Sequence, residues 1–230
     1  MVNKIKLLFY ISLSVVLLGA CNSNEITHKK GKAFQYSIQY LVAPEDNPIV
    51  SLMPEQMEVF YCDSSIYYYT EGWMGLFTSS QILNIKDSTR TLLAKFLDKK
   101  FAHTQLFKEY PLKFEAIKPF EMCGLPTDTV FQGYKAKKQW ISYDGSDTNR
   151  IYIIYTYEFE VDNPNIGSPM KAVDGILLRF PMSMMNIPMM VELKSAKDTL
   201  LNDSVFNIPS DYLIVDRNQI EKIFDEFAPK

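Results

Sequence analysis

The chain has 230 residues, with 24 lysines and arginines against 27 aspartates and glutamates, and its formal net charge is −3 at pH 7. A mildly acidic chain without a basic cluster lacks the electrostatic attraction on which nucleic-acid binding depends. The length is sufficient to bury a hydrophobic core and suits one domain if the fold is rich in β-structure.

The N-terminus has the pattern of an export signal that ends at a cysteine. Lys4 and Lys6 precede an apolar run over residues 7–18, and two small residues stand directly before Cys21. The run is shorter than the ~18 to 20 apolar residues that span a bilayer, so the pattern favours a cleaved signal peptide over a transmembrane helix. These features resemble the signals of bacterial lipoproteins, in which the cysteine is acylated and becomes the first mature residue.

The resemblance predicts a signal peptide over residues 1–20 and lipidation at Cys21. Cleavage leaves 22 basic and 27 acidic residues and a net charge of −5, so acyl chains rather than a polybasic segment must provide the membrane attachment. We expect a lipid-anchored protein of the cell envelope, in the outer membrane with its domain facing the periplasm. The inner membrane and the cell surface are compatible with the same signal.

The polar residues 21–33 predict a flexible tether, and residues 34–230 predict a single β-rich domain. From Phe34 onward apolar and polar residues alternate, as in a strand with one buried face. Turn-forming residues separate the later strands, a pattern typical of a mainly β fold with an antiparallel sheet. After the strand that begins at residue 34, strands are predicted over residues 57–62, 66–70, 81–86, 89–96, 134–143, 151–161, 175–180, 189–193 and 212–215.

Two parts of the domain depart from the strand pattern. Prolines at 111, 119 and 126 predict an irregular segment from His103 to Pro126, with at most one short strand over residues 114–118. At the C-terminus, Asn218 and Glu221 are interpreted as the capping pair of a short amphipathic helix. The apolar residues at helical spacing that follow are Ile220, Ile223, Phe224 and Phe227.

Three motifs lie in the second half of the chain: the step Gln132–Tyr134 into a strand, the glycine-led strand Gly175–Phe180, and the segment Phe206–Tyr212. They resemble the GLPGLI-type lipoproteins of the bacterial envelope, which are related to the LolA, LolB and LppX lipoprotein-carrier fold. The family's hexapeptide is replaced by VDGILL at residues 173–178. The resemblance implies a strongly curved antiparallel sheet, an incomplete β-barrel, with helical or irregular segments over an apolar hollow. It brings no catalytic residues.

The sequence lacks the motifs of serine hydrolases, zinc proteases, phosphate-binding loops and paired-cysteine zinc sites. His103 has no accompanying nucleophile and is interpreted as an ordinary surface or packed residue. Glu158 and Glu160 fit a solvated strand face, and the loop Asp144–Asn149 fits a turn better than a calcium site. We therefore expect no enzymatic activity, no metal and no cofactor.

Cys62 and Cys123 remain once Cys21 is acylated. An even number of cysteines in an exported protein permits a disulfide between them. The alternative is two buried thiols, and the sequence leaves both open.

The most unusual composition is that of the segment Pro181–Met190. We expect its prolines, at 181 and 188, to interrupt the sheet, so that the methionines border a ligand hollow. Thioether side chains are flexible and polarizable, which favours an adaptable apolar surface, while a soft copper(I) site is the alternative. The candidate ligand-binding residues are Met182, Met184, Met185, Met189 and Met190.

Taken together, these features predict a non-enzymatic, membrane-anchored envelope lipoprotein that binds a lipid or an acyl chain in the hollow of a curved sheet. The expected partners are the membrane, through the N-terminal acyl chains, and a hydrophobic small ligand, with no nucleic acid. The first alternative is a structural or adaptor lipoprotein that binds an envelope protein. The second is a copper(I)-handling protein.

Overall fold

The computed structural model describes residues 28–109, 112, 120–143, 145 and 149–227. The predicted signal peptide, the lipidation residue Cys21 and the first part of the tether lie outside the described residues. So do the short strand predicted over 114–118 and most of the turn predicted at 144–149.

Twelve strands and one α-helix make up the described part of the chain. The strands are β1 (His28–Tyr40), β2 (Gln56–Cys62), β3 (Ser65–Gly72), β4 (Phe77–Asn84), β5 (Thr89–Phe96), β6 (Lys99–Leu106), β7 (Glu121–Phe131), β8 (Tyr134–Ser142), β9 (Arg150–Thr156), β10 (Ile176–Met184), β11 (Ile187–Asn202) and β12 (Leu213–Ile214). The helix, α1, spans Arg217–Phe227, and short 3₁₀ turns lie at Pro48–Leu52, Trp73–Gly75 and Asp203–Phe206.

All twelve strands belong to one sheet, in the order β12-β6-β5-β4-β3-β2-β1-β11-β10-β9-β8-β7. Every neighbouring pair is antiparallel except β12 and β6, which are parallel. Within the described residues the edge strands β12 and β7 do not pair with each other, so the curved sheet is not closed. The predicted mainly β class, with a curved antiparallel sheet and a short C-terminal helix, is confirmed.

The longest pairing joins β1 to β11. β1 is paired along its whole length, from His28 opposite Asn202 to Tyr40 opposite Met189, with one bulge beside Tyr36. On its other side β1 pairs with β2. The β1–β11 pair therefore joins two antiparallel meanders, β2–β6 and β7–β10.

β1 begins earlier than the sequence predicted, and residues 28–33 of the predicted tether are part of the sheet. These polar residues are paired because β11 extends to Asn202 and offers them backbone partners. Gly31 permits the close approach of β2, since a Cβ at this position would lie 2.5 Å from the carbonyl oxygen of Tyr61.

Two further boundaries were wrong. β9 ends at Thr156 rather than at residue 161, and the chain leaves the sheet at the exposed Tyr157. β7 lies partly in the segment predicted to be irregular. It accommodates Pro126 because this residue falls in an irregularity of the register between Cys123 and Thr127, where it interrupts no ladder hydrogen bond.

The apolar side of α1 packs on the inner face of β4 and β5. Ile220 and Phe224 are buried there in a cluster with Phe77, Leu92 and Phe96. The centroids of the Phe224 and Phe96 rings lie 5.3 Å apart in an edge-to-face arrangement. The helix is thus docked through the apolar positions that the sequence predicted.

The capping pair lies two residues before the predicted one. The backbone N–H of Gln219 donates to Asp216 Oδ1 at 2.9 Å, and the N–H of Asp216 donates to Gln219 Oε1 at 3.0 Å. This reciprocal arrangement is a capping box. Glu221, which was predicted to cap the helix with Asn218, instead pairs with Arg217 one turn earlier.

We expect Phe224→Ala to lower the free energy of unfolding by about 3 to 5 kcal/mol, because it removes a buried ring and leaves a cavity against Phe96. Urea denaturation measures the loss. The exposed Lys222 on the same helix is the control, and its alanine variant should differ from the parent by less than about 0.5 kcal/mol. Equal stability of the two variants would show that the helix is not docked.

Candidate functional site

The concave face of the sheet forms a partly open hollow of about 130 Å³ between its strands and the connection that follows β9. Strands β1 to β5, β10 and β11 contribute side chains to the walls, and residues 165–170 of the connection close one side. The walls are mostly apolar or aromatic. The lining residues include one from each of five strands and one from the connection: Tyr36, Met57, Tyr68, Leu83, Phe180 and Met170.

The size of the hollow limits what it can hold. Engineered apolar cavities of about 150 Å³ bind benzene, whereas pockets for drug-sized ligands span roughly 300 to 1,000 Å³. At about 130 Å³ the hollow matches one ring or a short stretch of acyl chain. A larger guest must extend beyond the hollow or displace the covering connection.

Three tyrosines line the walls, and the hydroxyls of two of them bond to backbone carbonyls within the protein. The hydroxyl of Tyr36 donates to the carbonyl of Leu177 at 3.0 Å, and that of Tyr61 donates to the carbonyl of Pro164 at 3.3 Å. Burial raises the pKa of Tyr36 and of Tyr61 well above the ordinary value, and it raises the pKa of Tyr68 to about 12. All three therefore stay neutral over the physiological range.

Residues 163–173, which we call the cover, have turn structure and no strand partner. Asn165 holds the cover's own shape, because its side-chain amide donates to the carbonyls of Val173 at 2.6 Å and Gly175 at 2.9 Å. Met170 is buried in the main core. The sequence analysis assigned the cover no role, although its Asn-Pro and Gly-Ser-Pro steps are typical loop signals.

Few polar contacts attach the cover to the sheet. Besides the bond from Tyr61, Arg90 Nη1 on β5 donates to the carbonyl of Gly167 at 3.0 Å. Gly167 has φ +72°, and a Cβ there would lie 2.8 Å from the ring of Phe107, so a glycine is required.

Three of the five candidate methionines line the hollow, namely Met182, Met184 and Met189. Met182 and Met189 are directly opposite each other in the β10–β11 register. Met185 instead packs in a small cluster beneath the 3₁₀ turn that begins at Pro48. Met190 is buried on the opposite face of β11, away from the hollow. The segment therefore divides its methionines between different surfaces.

The prediction that Pro181 and Pro188 interrupt the sheet was wrong. Both residues lie within a β-hairpin, closed by a two-residue turn in which Met185 and Asn186 have φ values of 52° and 63°. The register places Pro181 opposite Met190 and Pro188 opposite Ser183. Counted from the turn, these are non-hydrogen-bonded positions of the hairpin, where proline removes no hydrogen bond between β10 and β11.

The two remaining cysteines are free, so the possible disulfide is not present. Cys62 is buried on β2, whereas Cys123 lies half-exposed on β7, and five strands separate β2 from β7 in the sheet order. Burial raises the pKa of the Cys62 thiol, which keeps it protonated and a poor nucleophile.

His103, which the sequence analysis interpreted as a surface or packed residue, is packed. It is buried on β6, and its Nδ1 lies 3.0 Å from the carbonyl oxygen of Val215. No group of three or more histidine, cysteine, aspartate or glutamate side chains in the described ranges could hold a metal ion. In the same ranges, no helix combines the length and the apolar character needed to cross a membrane.

The buried tyrosines predict a loss of stability in alkali. Since Tyr36, Tyr61 and Tyr68 stay protonated in the folded state while an unfolded chain ionises near pH 10, the unfolded state binds fewer protons above that pH. The free energy of unfolding should then fall by about 1.4 kcal/mol per pH unit for each such residue. Denaturation between pH 9 and pH 11 measures the slope. Tyr68→Phe should reduce the slope, and a slope equal in the variant and the parent contradicts the assignment.

Comparison of the chain with known protein families and with curated proteins finds no match in either. The resemblance to GLPGLI-type lipoproteins therefore stays a prediction.

Proposed function

We propose that the chain is a non-enzymatic, lipid-anchored protein of the cell envelope that binds a hydrophobic ligand, a lipid or an acyl chain, in the hollow. The observation that supports this most strongly is the cavity on the concave face, with five methionines in its walls. A sheet that served only as a scaffold would gain stability from filling this space with stiff aliphatic side chains.

The lining suits an irregular apolar guest. Methionine side chains change conformation at low cost and adapt to different shapes. Each buried methylene contributes about 0.8 kcal/mol, so eight of them would contribute roughly 6 kcal/mol before the costs of ordering and association. Because the cover is attached by few hydrogen bonds, its displacement gives a ligand longer than the hollow a route inward.

Met184 is the residue of choice for testing this function. It is half-buried in the wall of the hollow, whereas Met189 is only 1% exposed, so that aspartate at position 189 would unfold the protein rather than report on binding. We expect Met184→Asp to weaken binding of a fluorescent fatty acid at least about ten-fold, since a carboxylate in the wall must be desolvated. Fluorescence titration measures the affinity, and thermal unfolding checks the fold.

Met74→Asp is the matched control, because Met74 is 95% exposed on the turn after β3 and lies outside the hollow. It should bind the probe like the parent. If the parent binds no probe, or if both variants bind as tightly as the parent, the carrier function is wrong. Tight copper(I) binding that is lost in Met184→Asp would instead favour the metal-handling alternative.

A second candidate is an adaptor that presents the sheet to an envelope protein. The observation that favours it is an exposed apolar tip formed by two neighbouring turns, where the N–H of Leu97 donates to the carbonyl of Leu76 at 2.7 Å. Trp73 and Met74 in this tip have positive φ values, a backbone conformation that costs about 1 kcal/mol or more outside glycine. The strand directions put the tip at the end of the sheet opposite His28, where the chain comes from the anchor. A binding partner of the tip would therefore be a protein rather than the anchoring membrane. Failure of the probe to bind the parent favours this candidate.

The proposed anchor has its own test. Seven residues from Cys21 to His28 reach at most about 25 Å, so acylation would hold the domain close to a bilayer. We expect Cys21→Ala to remain uncleaved after residue 20 and to incorporate no labelled fatty acid, because alanine has no thiol for the thioether bond. Cell fractionation and metabolic labelling measure both. Labelled fatty acid in the variant would contradict the lipid anchor.

A further inference from the structure

Arg90 is a charged residue inside an otherwise uncharged cavity. It lies on β5, is 6% exposed, and is the sole charged side chain among the described residues that line the hollow. A buried charge is expensive unless a counter-charge and further hydrogen bonds compensate it.

Hydrogen bonds and counter-charges within the protein compensate the buried charge of Arg90 only to a small extent. A guanidinium has five N–H donors, and the hydrogen bond that Arg90 makes is from Nη1 to the carbonyl of Gly167 at 3.0 Å. In the part of the chain that the structure describes, no carboxylate lies within ion-pairing distance of it. The guanidinium therefore retains donors for an anion.

A second polar side chain lies beside it. Gln105 is directly opposite Arg90 in the β5–β6 register, so the two side chains are on the same face of the sheet. Gln105 is 4% exposed, and both atoms of its amide are buried without a hydrogen-bond partner. The β5 side of the concave face thus has unused hydrogen-bonding capacity, while Met182, Met184 and Met189 on the opposite wall are apolar.

We propose that the hollow takes an amphiphile with an anionic head group, whose carboxylate or phosphate oxygens pair with the Arg90 guanidinium while its alkyl chain lies against the methionines. This inference rests on the proposed function and narrows its ligand class. The planar guanidinium binds carboxylate and phosphate with two parallel hydrogen bonds, which gives strong preference over a neutral head group. Displacement of the Gly167 carbonyl by the head group would also release one of the attachments of the cover.

The test compares two ligands that differ only in their head group. Octanoate and 1-octanol are titrated by calorimetry at neutral pH, where the carboxylate is ionised, into the parent, Arg90→Gln and Arg90→Lys. We expect the parent to prefer octanoate roughly ten-fold or more and Arg90→Gln to bind both alike, while Arg90→Lys keeps part of the preference. The ratio within one protein cancels any effect of the substitution on stability. Octyl phosphate, preferred in the same way, would identify phosphate as an equally good head group.

The outcomes separate this inference from the proposed function. If the parent binds both ligands with equal affinity, the hollow is a hydrophobic site and the anionic subsite is wrong. If Arg90→Gln keeps the preference, Arg90 only attaches the cover. If neither ligand binds the parent, the proposed function fails and this inference fails with it. Should Arg90→Gln not fold, Arg90→Lys and the parent still decide the outcome.

Discussion

The structure depends on the pairing of β1 with β11. These strands lie near the two ends of the domain in sequence, yet they are neighbours over the whole length of β1. The hollow spans this pair, since Tyr36 and Ile38 on β1 and Met189 on β11 all contribute to its walls. Without the pairing the two meanders would be separate sheets, each with an exposed apolar face. The entropy cost of closing a loop of this length grows only slowly with each added residue, and burial of the faces of the sheet offsets it.

Packed side chains fill one part of the concave face, and another part forms the hollow. Near β4 and β5 the helix α1 covers the sheet and fills the space with Phe77, Phe96 and Phe224. Toward β1, β10 and β11 a chain segment without regular structure takes the place of a helix, and the hollow remains beneath it. A cover made of turns has fewer internal hydrogen bonds than a helix, and its attachment depends on buried side chains such as Met170 and Val173. This difference in covering supports the proposal that the ligand enters beside the methionines rather than beneath α1.

The sequence predicted the fold class because alternation and turn residues are local signals. Phe34, Tyr36 and Ile38 show the period of two that their strand has, and the stripe through Ile220 and Phe224 predicted the docked face of α1. Predictions from local signals were wrong for segments whose structure depends on strand partners far away in the sequence. Residues 28–33 are polar and look like a tether, but β11 provides them with a ladder. Pro181 and Pro188 look like strand breakers, but the hairpin register places both where β10 and β11 exchange no hydrogen bond.

Only part of the candidate site could be predicted from the sequence, because the rest also depends on distant strand partners. An unusual methionine content is visible in the sequence, but the direction of each side chain depends on the register, which separates Met189 from its neighbour Met190. Arg90 was missed because it occupies what looks like an ordinary polar position in the strand predicted from Thr89 to Phe96. Nothing in its local sequence shows that it faces a cavity formed by residues far away in the chain. A buried charge is recognisable only once the tertiary structure is known.

The central proposal is that the hollow holds a hydrophobic guest, and native mass spectrometry of the full chain, purified under mild conditions, is the direct test of it. We expect a non-covalent adduct with the mass of an acyl-bearing, acidic amphiphile, which disappears when the same sample is denatured. The proposed lipid anchor, which would be covalent, would stay with the polypeptide in both spectra. A folded protein whose native and denatured masses are identical would contradict the claim.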